Sequence, residues 1–157
     1  MSKRKQTSTL THVTGEMQQL IGFTIGKHLF GTDLASVHEI LRTTSLTKMP
    51  NAPDYVEGLM KLRGRVFPLV NLGKKMGLGI GRAEKNSRII VLEIQAMLTG
   101  IIVDTVTGVF EIHPDNVMDS TDASNNEIDP LYYSAVYQEG GREILLPDFD
   151  RIFLMND

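Results

Sequence analysis

Laid on itself, this chain repeats. At an offset of 69 positions Phe23 meets Leu92, Ile25 meets Ile94, Leu29 meets Leu98, Gly31 meets Gly100, Leu34 meets Val103, Val37 meets Val106 and Ile40 meets Val109. At an offset of 77, Tyr55 meets Tyr132, Leu59 meets Val136, Gly64 meets Gly141 and Arg65 meets Arg142. The change of offset places an eight-residue insertion in the second copy, within the polar stretch around Ser120 to Asp129. A matched apolar ladder is common between strands, but glycines and a tyrosine in register are not. Glycine turns freely at positive φ, so two copies of one backbone keep it at the same place. The repeat predicts two similar units of roughly 70 residues, each too small to bury much core alone, packed together with a groove at their junction.

The repeated segments read as strands. Leu20 to Ile25 and Leu29 to Leu34 alternate around the turn Gly26-Lys27-His28, a strand, a tight turn and a strand. Val37, Ile40 and Leu41 stand at i, i+3 and i+4, which predicts a short helix with one face inward. Pro50 and Pro53 interrupt regular structure. Gly58 to Leu62 and Val66 to Val70 form a second hairpin around Arg63-Gly64, and Gly73, Gly77, Gly79 and Gly81 read as a loop between the halves. Arg88 to Ile94 and Met97 to Val103 are the most apolar strands, and Tyr132 to Tyr137 and Glu143 to Leu146 flank Gly140-Gly141. The expected fold is mainly β: two tandem five-stranded barrels with short helices. Residues 1–17 are expected to be a mobile tail before a single domain over 18–157. Its halves fall near 18–86 and 87–157, with room for strands to be exchanged between them.

Few function classes survive a search for chemistry. The chain has no cysteine, which removes disulfides, thiolate zinc sites and a cysteine nucleophile. His12, His28, His38 and His113 are scattered, without ligand spacing, so no metal is expected. Gly22 to Lys27 is one residue too short between its glycines for a phosphate loop and lacks the following Ser or Thr. Gly77-Leu78-Gly79-Ile80-Gly81 opens no helix. The acids from Asp115 to Asp129 miss the calcium-loop spacing, and no Gly-x-Ser-x-Gly elbow occurs. Neither catalysis nor a cofactor is expected. No apolar run is long enough for a secretion signal or a membrane span, which points to a cytoplasmic, soluble protein.

Charge is segregated along the chain. Residues 61–88 carry eight basic side chains and one acidic, a net of +7, while residues 89–157 carry two basic and thirteen acidic, a net of −11. Such a chain suits charged partners. The basic stretch lacks interleaved aromatics, which argues against nucleic acid.

The run Phe23-Thr24-Ile25-Gly26, Phe30-Gly31-Thr32-Asp33-Leu34, Val37-His38-Glu39-Ile40 resembles the opening of CheW-like domains. So do Pro50 to Gly58 leading into Lys61-Leu62-Arg63-Gly64, Pro68 to Leu72, Gly100 to Val106, and the closing Leu146-Pro147-Asp148-Phe149-Asp150. The likeness covers about residues 18–155. Departures are Lys61 for a usual Asn, Asn71 for a usual Asp, and Pro147 within a usual Leu-Leu-Asp run.

The resemblance implies two SH3-like barrels and a non-enzymatic adaptor. Its partners would be the cytoplasmic tip of a chemoreceptor and the regulatory domain of a CheA-type histidine kinase, with self-association in arrays a further option. It implies a receptor groove at Val37, Glu39, Ile40, Arg63 and Arg88, and a partner interface near Gly58 and Gly64. Glu39 and Arg63 could pair across that groove. Three alternatives stay open: an adaptor for another kinase pathway such as twitching or gliding, a nucleic-acid-binding barrel, and a small-molecule sensor or enzyme.

Overall fold

The computed structural model describes residues 18–42, 44–78, 86–119 and 128–154. Twelve strands are found there: β1 (Gln18–Ile25), β2 (His28–Asp33), β3 (Val37–Leu41), β4 (Leu46–Thr47), β5 (Val56–Leu62), β6 (Arg65–Asn71), β7 (Arg88–Ile94), β8 (Met97–Val103), β9 (Thr105–Ile112), β10 (Val117–Asp119), β11 (Tyr133–Glu139) and β12 (Arg142–Pro147). Two short helices close the repeated units, α1 (Leu72–Lys75) and α2 (Phe149–Leu154). The repeat carries through to these elements. An offset of 77 superposes the bounds of β5 on those of β11, and the tips Arg63-Gly64 and Gly140-Gly141 all take positive φ.

The two sheets do not divide the chain at its middle. One has the order β10-β11-β12-β2-β1-β9, the other β3-β7-β8-β6-β5-β4. Each sheet has five strands of five residues or more and one short edge strand. Each therefore combines the opening hairpin of one repeat with the remaining strands of the other. The joins are the antiparallel pair β1–β9 and the parallel pair β12–β2 in one sheet, and β3–β7 and β6–β8 in the other.

Both sheets curl into barrels, because apolar residues from strands at opposite ends of each order share one interior. Leu20, Ile112, Ala135, Tyr137, Ile144 and Leu146 fill the first barrel; Met60, Phe67, Leu69, Ile89, Val91 and Leu98 fill the second. The largest cluster lies between the barrels and joins Phe23, Phe30, Ile90, Leu92, Ile101, Tyr133 and Leu145 from both halves. Phe23 and Phe30 stack there with ring centroids 5.5 Å apart. Alternate residues of β7 feed two cores: Ile89 and Val91 face a barrel interior, Ile90 and Leu92 the junction. That double duty explains why Ile89 to Leu92 are apolar at every position.

Three local expectations are corrected. Val37 to Leu41 is a strand, preceded by a single 3-10 turn over Leu34–Ser36 that Asp33 caps through the Ala35 N–H. The i, i+3, i+4 spacing arose because a bulge at His38 shifts the alternation by one, and β-branched Val37 and Ile40 suit a strand. Gly73 lies within α1, whose start Asn71 caps by accepting from the Lys74 N–H at 3.0 Å. The matched pair Gly31 and Gly100 serves close packing rather than positive φ. A Cβ on Gly100 would lie 2.7 Å from Met60 Sδ, and one on Gly31 would lie 3.1 Å from Leu20 and 3.2 Å from Ile144. Residues 1–17, Gly79, Gly81 and most of the insertion around Ser120 fall outside the described residues.

Polar contacts pin the hairpin turns where the halves interlock. The Gly26 N–H donates to Asp104 Oδ2 at 2.7 Å, the Asp104 N–H donates to Thr24 O, and the Thr24 and Thr105 hydroxyls meet at 2.6 Å. In the other barrel Asp150 on α2 accepts the Gln95 N–H of the β7–β8 turn. Burial raises the Asp150 carboxyl above its ordinary value, Asp148 adds to this, and the Gln95 hydrogen bond opposes it.

Two predictions follow from this packing. Gly100→Ala should destabilise by about 1–3 kcal/mol through overpacking against Met60, Ile89 and Leu69, read as a lower urea midpoint. For Asp150, a carboxyl whose folded pKa is raised costs stability as pH climbs from the unfolded value through the folded one. Asp150→Asn should therefore remove a loss of stability on going from acid towards neutral pH. Melting curves of the two proteins across that range, parallel at every pH, would refute this.

Candidate functional site

Glu39 and Arg63, 24 residues apart in sequence, meet across the seam where the second barrel closes. Arg63 Nε and Nη2 donate to Glu39 Oε1 at 3.2 and 3.0 Å, and Nη2 donates to Oε2 at 3.2 Å. This is a forked charge-assisted contact between the edge strand β3 and the β5–β6 hairpin tip. The Arg63 side chain is 74% exposed and that of Glu39 28%, so an exposed pair of this sort contributes about 0–1 kcal/mol. It sets geometry more than stability.

Arg63 sits at φ +51, while its repeat partner Gly140 sits at φ +57. A two-residue turn with both φ values positive is the usual home of glycine or asparagine. Holding an arginine there costs about 1–2 kcal/mol. At the position equivalent to Glu39 the other barrel has Gly108. The same corner is thus two glycines in one barrel and a forked ion pair in the other. A strained backbone that carries a costly side chain marks a place where the side chain matters.

Cross-strand register sorts the other expected residues. Directly paired residues share a face. Val37 opposes Leu92 and Ile40 opposes Ile90, so both lie on the face of β3 that continues the junction between the barrels. Val37 is partly buried against that central cluster, whereas Ile40 is 37% exposed. Glu39 opposes Val91 and points to the other face, towards the seam. Arg88 begins β7 on the same face as Ile90, and its Nη1 donates to Ser87 O at 2.8 Å. The site therefore reads as an apolar step, Val37 to Ile40, between a forked ion pair on one side and a basic end on the other.

Gly58 and Gly64 take different places. Gly58 is buried at φ +152 within a bulge of β5, and an added Cβ would lie 2.8 Å from Thr47 O, so it seats the short strand β4. Gly64 is exposed at the hairpin tip with φ +80, matching Gly141 at +81. Sequence reasoning missed Arg42. Leu41 opposes Ile89, so the next residue along stands beside Arg88 and doubles the positive charge at that end. Reading Val37 to Leu41 as a strand would have revealed it.

Among the described residues no group of three or more His, Cys, Asp or Glu could hold a metal, and no helix is long and apolar enough to cross a membrane.

Residues 19–156 match the family described as CheW-like domain. This chain belongs to that family. A chemotaxis protein CheW of Rhizobium meliloti is 29% identical over 147 residues, covering 94% of each chain. A chemotaxis protein CheW of Helicobacter pylori is 31% identical over 115 residues, covering 72% of this chain and 70% of its own. The crystal structure of the scaffolding protein TtCheW from Thermoanaerobacter tengcongensis superposes with a TM-score of 0.82 at 29% identity, covering 90% of this chain and 95% of that one. The CheW-like fold thus accounts for both barrels.

Replacing Arg63 separates folding from function. In Arg63→Gly the relief of positive φ offsets the lost pair, so stability should stay within about 1 kcal/mol of the parent. Urea unfolding that shows a loss above about 2 kcal/mol would make the pair a support of the barrel instead.

Proposed function

We propose that this protein is a non-enzymatic cytoplasmic scaffold of chemotaxis signalling, joining chemoreceptor tips to the regulatory domain of a CheA-type histidine kinase. The observation that carries the reading is the corner at Glu39 and Arg63. A strained arginine is kept in a forked pair beside an exposed Ile40, where the repeat would otherwise supply two glycines. That arrangement suits docking of a helix: an apolar step for its buried ridge, and charges to fix its register. The receptor tip is assigned to the surface around the edge strand β3, with Val37, Ile40 and Arg88 on its junction side and the Glu39–Arg63 pair at the adjoining seam. Gly64 keeps the hairpin tip in shape for that contact, and Gly58 acts through the seating of β4.

The names of the relatives support chemotaxis over another kinase pathway, because both sequence relatives above are called chemotaxis protein CheW. A nucleic-acid role has less behind it. The corner at Glu39 and Arg63 engages one of the basic side chains with a carboxylate, and the single aromatic within residues 61–88, Phe67, is buried. No cofactor is invoked. Self-association in arrays is compatible with this reading.

The test is a titration of the purified chain with a receptor-tip fragment and, separately, with the kinase regulatory domain from the same cell. The parent should bind both. Ile40→Asp and Arg63→Glu should each weaken receptor-tip binding by about tenfold or more while leaving kinase binding unchanged. A parent chain that binds neither would remove the adaptor reading.

A further inference from the structure

The tips of the two opening hairpins are equivalent in the repeat, Gly26 between β1 and β2 and Gln95 between β7 and β8. Each tip gives its N–H to a carboxylate, Gly26 to Asp104 at 2.7 Å and Gln95 to Asp150. The two pins differ in how they are themselves held. Asp104 sits between β8 and β9, both of which run inside sheet ladders. Its own N–H donates to Thr24 O at 2.9 Å, so it cannot leave without breaking a ladder. Asp150 lies on α2, outside both sheets, and α2 can swing away beyond Asp148 with every ladder intact.

Among the described side chains of α2, Ile152 alone is fully buried in the central cluster, with Phe149 and Phe153 partly buried against it. Asp148 caps the helix by accepting the Arg151 N–H at 3.0 Å, and Arg151 Nη1 donates to Leu131 O at 3.4 Å. The helix continues β12 of the first barrel. Its other contacts reach the second, where Asp150 accepts from Gln95 and Phe153 meets the ring of Tyr55, just before β5, at 6.4 Å. It is a strap from one barrel to the other.

The fastening is costly at both ends. Burial and the neighbouring Asp148 raise the Asp150 carboxyl, so its charged form is disfavoured where it sits. The turn that it holds keeps two residues other than glycine at positive φ, Gln95 at +54 and Ala96 at +65. The equivalent helix α1 has no such fastening. Asn71 matches Asp148 at the offset of 77 and caps in the same way, through the Lys74 N–H, but Gly73 stands where α2 has Asp150.

A helix of six residues does not keep its shape once its packing is lost. Undocking and unwinding of α2 are therefore one event. It breaks the Gln95–Asp150 contact together with the bond from the Ile152 N–H to Asp148 O. The tip so freed lies three residues past Leu92, whose partner Val37 begins β3.

We propose that α2 is a releasable strap, which undocks as one unit while both barrels stay folded and so frees the Gln95-Ala96 tip beside the Val37 end of β3. The strap is a property of the free chain, and its test stands apart from the adaptor reading.

That test is native-state hydrogen exchange of the intact chain, followed amide by amide by NMR in urea below the unfolding transition. The Gln95 and Ile152 amides should exchange through one shared opening, populated about tenfold or more above the opening that exposes the amides of β8. In Asp150→Ala both should exchange about tenfold faster, with the Gly26 amide unchanged. Asp150→Asn keeps an acceptor oxygen and should hold the Gln95 amide closer to the parent than Asp150→Ala does. If Asp150→Ala fails to fold, exchange of the parent still decides. Gln95 and Ile152 amides that open only when β8 opens would make α2 part of the barrels' own unfolding and overturn the proposal. Amides that open independently of each other would overturn it too, because the tip would then be freed without the strap.

Discussion

The apolar contact between the two barrels is what everything else rests on. Phe23 and Phe30 arrive from the opening hairpin, Ile90, Leu92, Ile101 and Val103 from the corresponding hairpin of the second repeat, and Val136 and Leu145 from the closing strands. Because each barrel borrows a hairpin from the other repeat, this cluster is continuous with both barrel walls. A shear between the barrels would have to break strand ladders as well as apolar contacts. The faces on either flank of the junction are therefore held on rigid strands rather than on loops, which is where side chains keep a fixed spacing for a partner.

Strand placement was legible because two signals agreed, the period-two alternation and the internal repeat. The hairpins at Gly26 and at Arg63-Gly64, and the strands Arg88 to Ile94 and Met97 to Val103, lie where those signals put them. The short stretch Val37 to Leu41 was misread as helix because one bulged residue, His38, turns a strand's spacing into a helix's. The two readings differ by a single backbone irregularity that leaves no mark in composition. Gly31 and Gly100 were correctly matched but wrongly explained. A glycine needed for space and one needed for φ look alike until the neighbours that would meet a Cβ are known.

The candidate site was legible only in part. A Glu39–Arg63 contact followed from the family likeness, and its forked geometry is now seen, but the strain at Arg63 could not be read from sequence alone. It shows once the two repeats are compared, where Gly140 occupies the same backbone conformation. Arg42 needed strand register, which ties positions far apart in the chain. Net charge indicated the sign of the basic region but not that its members divide between a barrel seam, the end of β7 and the outer face of a hairpin.

The exchange of hairpins has a consequence for how the chain is made. Thr24 and Thr105, whose hydroxyls meet, are 81 residues apart. On a ribosome the first hairpin emerges long before β9, its neighbour in the sheet, and the second barrel can close as soon as β8 is available. The opening hairpin must wait with its barrel-facing side, at Leu20, uncovered until the closing strands arrive. Contacts this distant in sequence slow folding and lengthen the time that apolar surface stays open to other chains. Rapid synthesis at high temperature would thus expose one particular segment, Gln18 to Asp33, to misassembly, and the molecule's weakest moment would come before it is complete.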